Sequence, residues 1–562
     1  MTSLRENQRF ILWVALGLVL AAALFAFVVD RRSKVIETVL HDWASRQIAE
    51  ATDSTYQLSV SGVDLSVMLG RITIDSIRLH TDTLRNDFRA EPLPVLTAMA
   101  TGCGVRGVNV WSLLLGRGVN ARLFRCEGIS AAVLEVVRRR VPVKPAAETP
   151  KAAMPLVSDS IHLPSVLPLI LVHNTELPNI SLDYTRRASD SSEMHVTLER
   201  LGLVLRETRI DPAVPPKARR PLFSKQALVS ATALEVGNED RSVMFGQMRA
   251  NLTDSTLALD SVVVGPTLPD VEWFRQQKLR RDLVRMQLDS ARLRGIDYRR
   301  LGSIEGGVVA HRVEAFDFRV HVSSDKNLPA SPTKKKRRTP QQFFATMDRP
   351  VAIDTAVVTG GRIAYTERGV GKSATGTMTW DKVHAEIVNL KSSATASGTA
   401  PPTVIKASAL LLGKGKLETV FEIPLTAPQY DMKYSGSLGP MDMAALNAFA
   451  EPVMGAKVTS GALQSVHFSV VVRNGRSSGQ ITPLYRDFKL QLTDKKANFV
   501  KKAGLAIVSL FANTFKVRGD NVNKPGDSPE VGRINYPYSA TATLPQFLWY
   551  ALRQGLGDVF MK

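Results

Sequence analysis

The sequence predicts a mostly β chain with flanking helices, an α+β fold behind a single N-terminal transmembrane helix. Three observations lead there. Long stretches alternate apolar and polar residues with a period of two. A strand–turn–strand unit recurs. One early run of twenty residues carries no charge.

That run, residues 10–29, reads FILWVALGLVLAAALFAFVV. At 1.5 Å per residue it spans roughly 30 Å, the thickness of a bilayer's hydrocarbon core. It continues into Asp30, Arg31, Arg32 and Lys34 rather than into a small-residue cleavage site, which predicts an uncleaved anchor after a short tail of residues 1–9. Arg5 and Arg9 on one side and Arg31, Arg32 and Lys34 on the other leave the orientation open. Residues 33–51 then place Val35, Ile36, Val39, Leu40 and Trp43 at helical spacing.

Beyond this helix the period changes. Ile72 and Ile74 alternate with Thr73 and Asp75. Phe316, Phe318, Val320 and Val322 alternate with Asp317, Arg319 and His321. The same holds for Val466, Phe468, Val470 and Val472, and for Phe488, Leu490 and Leu492. Such segments are strands with one apolar and one wet face. SGVDLSVMLGRITIDSIRL from Ser61, RGVNVWSLLLGRGVNARLFRC from Arg106 and RGIDYRRLGSIEGGVVAHRVEAFDFRV from Arg294 share Gly, an apolar residue, Asp or Asn, a short turn-like piece, Gly and a strand. Either this is a repeat, growing a sheet by addition, or it is chance similarity among amphipathic hairpins.

Two breaks divide the chain. Residues 142–168 are Pro-rich and predict a linker or surface excursion. Residues 323–350 hold the basic run Lys334, Lys335, Lys336, Arg337 and Arg338 between prolines. The expected parts are an N-terminal β module (30–141), a middle β region (169–322) and a C-terminal β region (351–562), closed by helices over 498–515 and 544–560.

The charge is strongly positive, +20, but it is spread along the chain. It suits anionic lipid or nucleic acid alike; a loop is the reading of the basic run, and no nucleic-acid partner is expected. Two cysteines exclude a disulfide-dense scaffold and any four-cysteine zinc site. Cys103 and Cys126 lie on strands that are candidate neighbours; a disulfide and two buried thiols both remain open.

Catalytic motifs fail on context. Gly371, Lys372 and Ser373 resemble half a phosphate loop, but Thr366 stands where its first glycine belongs. Gly475 to Gly479 matches G-x-S-x-G around Ser477, yet an alternating strand follows where an elbow needs a helix. The nine histidines form no metal-ligand pair, and His311 and His321 read as solvated or hydrogen-bonded. The chain is therefore expected to be no enzyme, with no metal and no cofactor.

The anchor, the early GVDLSVMLGRITIDSIRLHTD and the late AKVTSGALQSVHFSVVVRNGRSSGQITPLYRDFKLQL, followed by a closing helix, resemble the AsmA-like superfamily of bacterial envelope proteins. These are related to bridge-like lipid-transfer proteins. The resemblance covers about half of the chain, at the level of pattern, and is weakest over 142–348. It implies an elongated, curved antiparallel sheet forming an apolar groove that binds or transfers phospholipid or another envelope lipid, or supports outer-membrane assembly. It also implies an inner-membrane, single-pass location with the large domain in the periplasm, and envelope or outer-membrane proteins as partners. Val466, Phe468, Val470, Val472, Phe488, Leu490 and Leu492 are the candidate groove residues; the alternative for each is an ordinary core beneath the closing helices. The rival functions are a scaffold that binds protein partners without lipid and a membrane-bound hydrolase.

Overall fold

A computed structural model of the chain describes residues 54–66, 70–87, 93–109, 112, 117–136, 169–187, 193–215, 220–238, 241–302, 307–332, 336–347, 350–392, 401–492, 518–522 and 528–560. The expected anchor (10–29), the helix over 33–51 and the helix over 498–515 fall outside these residues. No helix among the described residues is long and apolar enough to cross a membrane. The described chain is mostly β. It forms two compact units, residues 1–261 with 298–305, and residues 262–297 with 306–562.

Unit 1 contains β1 (Tyr56–Ser66), β2 (Arg71–Thr81), β3 (Val95–Arg106), β4 (Val119–Arg125), β5 (Gly128–Val136), β6 (Ile170–Arg187), β7 (Glu193–Ile210), β8 (Ser224–Asn238), β9 (Arg241–Asn251) and the start of β10 (Thr256–Gly265). Strands β1, β2 and β3 form an antiparallel meander. Next, β4 and β5 lie end to end, antiparallel to β3 on one side and parallel to β6 on the other. From β6 onward the pairing to β7, β8 and β9 is antiparallel. Alternation buries one face: Ile72, Ile74, Ala121, Phe124 and Val172 share one core cluster, and Leu79, Leu96, Val133 and Tyr184 another. Each fully buried large aliphatic side chain contributes about 1.5–3 kcal/mol.

Unit 2 contains β11 (Leu283–Arg294), β12 (Val308–Asp325), β13 (Val351–Arg368), β14 (Thr375–Lys391), β15 (Thr403–Leu411), β16 (Gly415–Ile423), β17 (Met432–Leu438), β18 (Met441–Asp442), β19 (Ala456–Arg473), β20 (Arg476–Leu492) and β21 (Gly532–Pro537). Its helices include Pro340–Ala345, Asn447–Met454 and the closing helix Leu544–Phe560. Strand β11 is antiparallel to β12, and β12 is parallel to β13. The rest pair antiparallel in chain order, with β17 and β18 both lying along β19.

The two units repeat one plan. Strands β3 and β11 both have 12 residues, and both start opposite the far end of the next strand: Val95 faces Leu134, and Leu283 faces Ser323. Both end on arginine, with Arg106 facing Leu123 and Arg294 facing Arg312. Both are followed by a glycine in the left-handed region, Gly107 (φ 66°) and Gly295 (φ 68°). A buried apolar residue comes next, Val108 or Ile296. Then an Asn or Asp donates its backbone N–H to the following strand: Asn109 to Asn120 O at 2.8 Å, and Asp297 to Val309 O at 3.1 Å. The parallel partners β6 and β13 are both 18 residues long. Their pairings with β7 and β14 carry the same double register shift, around Ile180–Leu201 in one and Gly361–Val383 in the other. The segments read from Arg106 and Arg294 are therefore equivalent parts of a longer duplication. The segment at Ser61 differs: its Gly62, at φ 66°, sits inside β1.

Parallel neighbours cannot be joined by a tight turn. The connections β5–β6 and β12–β13 are accordingly long, and they contain the Pro-rich stretch and the basic run.

One alternation expected from the sequence is corrected. Phe316 does not share a face with Phe318, Val320 and Val322. Asp317 between them takes φ 52°, opposite Gly360 at φ 78°. A side chain on Gly360 would begin 2.2 Å from the Asp317 carboxylate, and the positive φ favours glycine there. This irregularity flips the parity of the strand. Phe316 turns to the polar face, where the Arg292 guanidinium lies 5.6 Å from its ring. Beside it the Arg312–Glu314 pair, at 2.9 Å, holds the Glu314 carboxyl below its usual range.

Candidate functional site

The parity flip keeps one face of unit 2 apolar from β11 to β20. Pairing in register aligns its side chains in rows that cross the strands. One row runs Met286, Val320, Ile363, Trp380 and Leu411. Another runs Leu293, Val313, Ala356, Ile387, Ile405, Phe421, Tyr434 and Val470. A lane of small residues lies between them: Ala291, Ala315, Val358, Ala385, Ala407, Thr419 and Gly436, ending on Phe468. At about 4.8 Å per strand the lane follows a path of roughly 34 Å.

Aromatic rings pave the face where glycine leaves room. A side chain on Gly361 would collide with the Phe318 ring, and one on Gly436 would begin 2.6 Å from Phe468 Cζ. Tyr434 stacks on Phe421 at 6.0 Å between ring centroids and sits 6.3 Å from Phe468. Burial holds the Tyr434 phenol well above the usual tyrosine range.

Helices cover this face in two places. The closing helix lays Phe547, Ala551 and Val559 against the sheet, each fully buried. It approaches so closely that a side chain on Gly555 would begin 2.5 Å from Ile481 Cγ2. The helix Asn447–Met454 brings Phe449 to 6.0 Å from the Tyr365 ring and lies directly over Gly376. Elsewhere, among the described residues, the face stays partly open. Ile363, Trp380, Ile387, Ile405, Ala407 and Phe421 are half-buried, and Val284 and Met286 are 40% and 43% exposed. Leu544, Leu548, Leu552 and Leu556, four residues apart on the closing helix, are also half-buried around the same core.

The seven candidate groove residues fall largely under cover. Val470 and Val472 are 1% exposed, in the core that Phe547 and Ala551 seal. Phe488 is buried with its ring 5.3 Å from Phe560 at the end of the closing helix. Val466, Phe468 and Leu490 are half-buried at the margins of these two clusters. Leu492 pairs with Ala456 through its backbone. The open rows on β13–β16 were the part that sequence reasoning missed. Their signal was present, in TVIKASALL and GKLETVFEI, but alternation does not say which part of an apolar face a helix will cover.

Cys103 and Cys126 are joined by a disulfide and are both buried. Cys126 sits in the short gap where β4 ends and β5 begins. In unit 2 the equivalent residues are Ala291 and Ala315, paired in register at the head of the small-residue lane.

The polar face of the same sheet carries a shallow depression lined by His384, Lys406, Ser408, Glu418, Ser437 and His467 among others. No three His, Cys, Asp or Glu side chains converge on a metal position among the described residues. Ser477 lies inside β20, 0% exposed, after a hairpin turn whose Asn474 and Gly475 take φ 48° and 74°. The Gly371 turn joins β13 to β14, and its N–H donates to the Asn327 side chain at 2.6 Å. His311 pairs with Asp354, and His321 Nε2 lies 2.9 Å from Thr366 Oγ1. No protein-family model matches the chain, and no curated protein is significantly similar to it.

Proposed function

We propose that this chain is a membrane-anchored, non-enzymatic envelope protein that shelters the acyl chains of a lipid on the apolar face of unit 2. The observation that carries the reading is the small-residue lane from Ala291 to Gly436. It is flanked by bulky apolar rows and, from Ala315 to Gly436, left half-buried. An apolar face of this extent calls for a cover, and an acyl chain gains about 0.8 kcal/mol per methylene removed from water. Binding of this kind uses no bond-making and no cofactor. The resemblance to AsmA-like proteins supports an inner-membrane anchor at residues 10–29, a periplasmic body and transfer of phospholipid between membranes.

The test is mass spectrometry of the lipid that co-purifies with the detergent-extracted full chain. A phospholipid signal near one per chain is expected, reduced at least tenfold when Ala385→Phe and Ala407→Phe fill the lane. A folded chain without lipid, or lipid indifferent to the filled lane, would move the reading to a scaffold for protein partners.

A further inference from the structure

The connection between β12 and β13 has a feature that lipid shelter does not use. From Lys326 to Met347 the sequence contains no acidic residue, and it includes the run Lys334 to Arg338. The described part of that run is held against the body of unit 2. The Arg337 N–H donates to Ala540 O at 2.6 Å, and the Tyr538 hydroxyl donates to Arg337 O at 3.2 Å. Lys336, Arg337 and Arg338 are nevertheless exposed. The strap thus fixes its backbone just before the closing helix and leaves its charges in solvent.

The helix Pro340–Ala345 follows at once. Thr339 and Gln342 form a reciprocal capping box, with Pro340 in the first turn. Gln341 is buried and donates to Asp431 O at 2.7 Å. The Asp431 carboxylate is itself engaged, accepting from Asn474 N at 2.7 Å and lying 4.0 Å from Arg473. Two neighbouring rings follow, meeting edge to face with centroids 5.5 Å apart. Phe344 packs on the core that the closing helix also covers, whereas Phe343 is 51% exposed. On the closing helix, Trp549 is also 40% exposed.

We propose that Lys336, Arg337, Arg338 and Phe343 form a docking patch for an anionic bilayer surface. The cations meet the headgroup phosphates and the ring enters the interface, the combination that holds peripheral segments on membranes. Charge complementarity favours this occupant: three adjacent cations, with no acidic residue between Lys326 and Met347 to neutralise them. The patch does not depend on lipid in the lane.

The test uses the full chain in zwitterionic phosphatidylcholine nanodiscs and measures its capture of separate vesicles. Vesicles of phosphatidylcholine with about one third phosphatidylglycerol should be captured; vesicles of phosphatidylcholine alone should not. Each basic residue near such a surface changes binding about fivefold, so Lys336→Gln with Arg337→Gln and Arg338→Gln should weaken capture about a hundredfold. Phe343→Ser should weaken it several-fold without altering the melting curve. Equal capture of neutral vesicles, capture untouched by either variant, or capture abolished by competing single-stranded RNA with no vesicle selectivity would overturn the proposal. The lipid retained by the triple variant should be unchanged, which separates failure here from failure of the sheltering role.

Discussion

Tyr184 and Tyr365 occupy the same place in the two units. Each is the fifteenth residue of an 18-residue strand that runs parallel to the one before it. Each phenol donates to a glutamate that is buried beside it, Glu135 for Tyr184 and Glu367, at 2.5 Å, for Tyr365. Burial first, and the neighbouring acid next, hold both phenols well above the usual tyrosine range. Tyr485, fully buried, is pushed up to about 12, first by burial, with Arg518 opposing and Asp520 adding to the shift.

Alkaline unfolding follows from these phenols. An unfolded tyrosine releases its proton near pH 10, while the folded groups hold theirs to higher pH. Above that pH the unfolded state binds fewer protons, so stability falls as pH rises. The contribution is complete below about pH 10 and, for Tyr485, is lost as pH passes toward about 12. Tyrosinate absorbance in the near ultraviolet should show the buried phenols ionising together with loss of β-structure in circular dichroism. Free ionisation of every tyrosine before any unfolding would refute this.

The disulfide should matter for stability rather than for shape. Because Ala291 and Ala315 fill the equivalent positions in unit 2, Cys103→Ala with Cys126→Ala fits the local plan. The double variant should fold, with unit 1 less stable by about 2–4 kcal/mol from the lost cross-link. Denaturant melts under oxidising and reducing conditions check this: the native chain should shift on reduction and the variant should not.

The outer edge of β21 is closed by side chains of the closing helix. Arg533 N donates to Asp558 Oδ2 at 3.1 Å, and Asn535 N donates to Gln554 Oε1 at 2.8 Å. An acid in the last turn opposes the helix dipole, so the cap must repay its placement there. Gln554→Ala with Asp558→Ala should cost about 1–3 kcal/mol and promote edge-to-edge association. Light scattering across a concentration series reads the outcome; a variant that stays monodisperse would remove the capping role.

Close approach of helix and strand gives a second test in the same region. A side chain on Gly532 would begin 1.9 Å from Gly555 O, which is backbone and cannot swing aside. Gly532→Ala should therefore displace the helix and lower stability by about 1–3 kcal/mol. Hydrogen exchange should rise along Leu544–Phe560 while β3–β6 keep their protection.

Much of the fold was legible as pattern, and the rest depended on geometry that pattern does not encode. Period two located β2, β12, β19 and β20, and the closing helix Leu544–Phe560 matches its expected span. The segments at Arg106 and Arg294 showed a fragment of the duplication, because their glycines need positive φ and the residues after them need burial. The rest of the repeat is carried by register and strand length, which tolerate any residue of the right polarity. Phe316 was misread because a single left-handed residue, Asp317, inverts every later assignment on the strand. At the candidate site the apolar face could be seen in the sequence, but not the helix that covers Val470 and leaves Ile405 half-open, since cover depends on contacts between distant segments.

The closing helix is synthesised after every strand it covers, and this gives the edge cap a consequence during biosynthesis. Every nascent chain passes through a stage in which β19 and β20 have emerged and the residues that close the sheet have not. The interval is the time needed to translate from the end of β20 to the end of the helix, Leu492 to Phe560, about 3–14 s at ordinary rates. A premature stop anywhere in that stretch makes the interval permanent. Such a product keeps most of the sheet but exposes a long strand edge, so its expected fate is capture by another nascent chain or by a protease rather than quiet loss of activity.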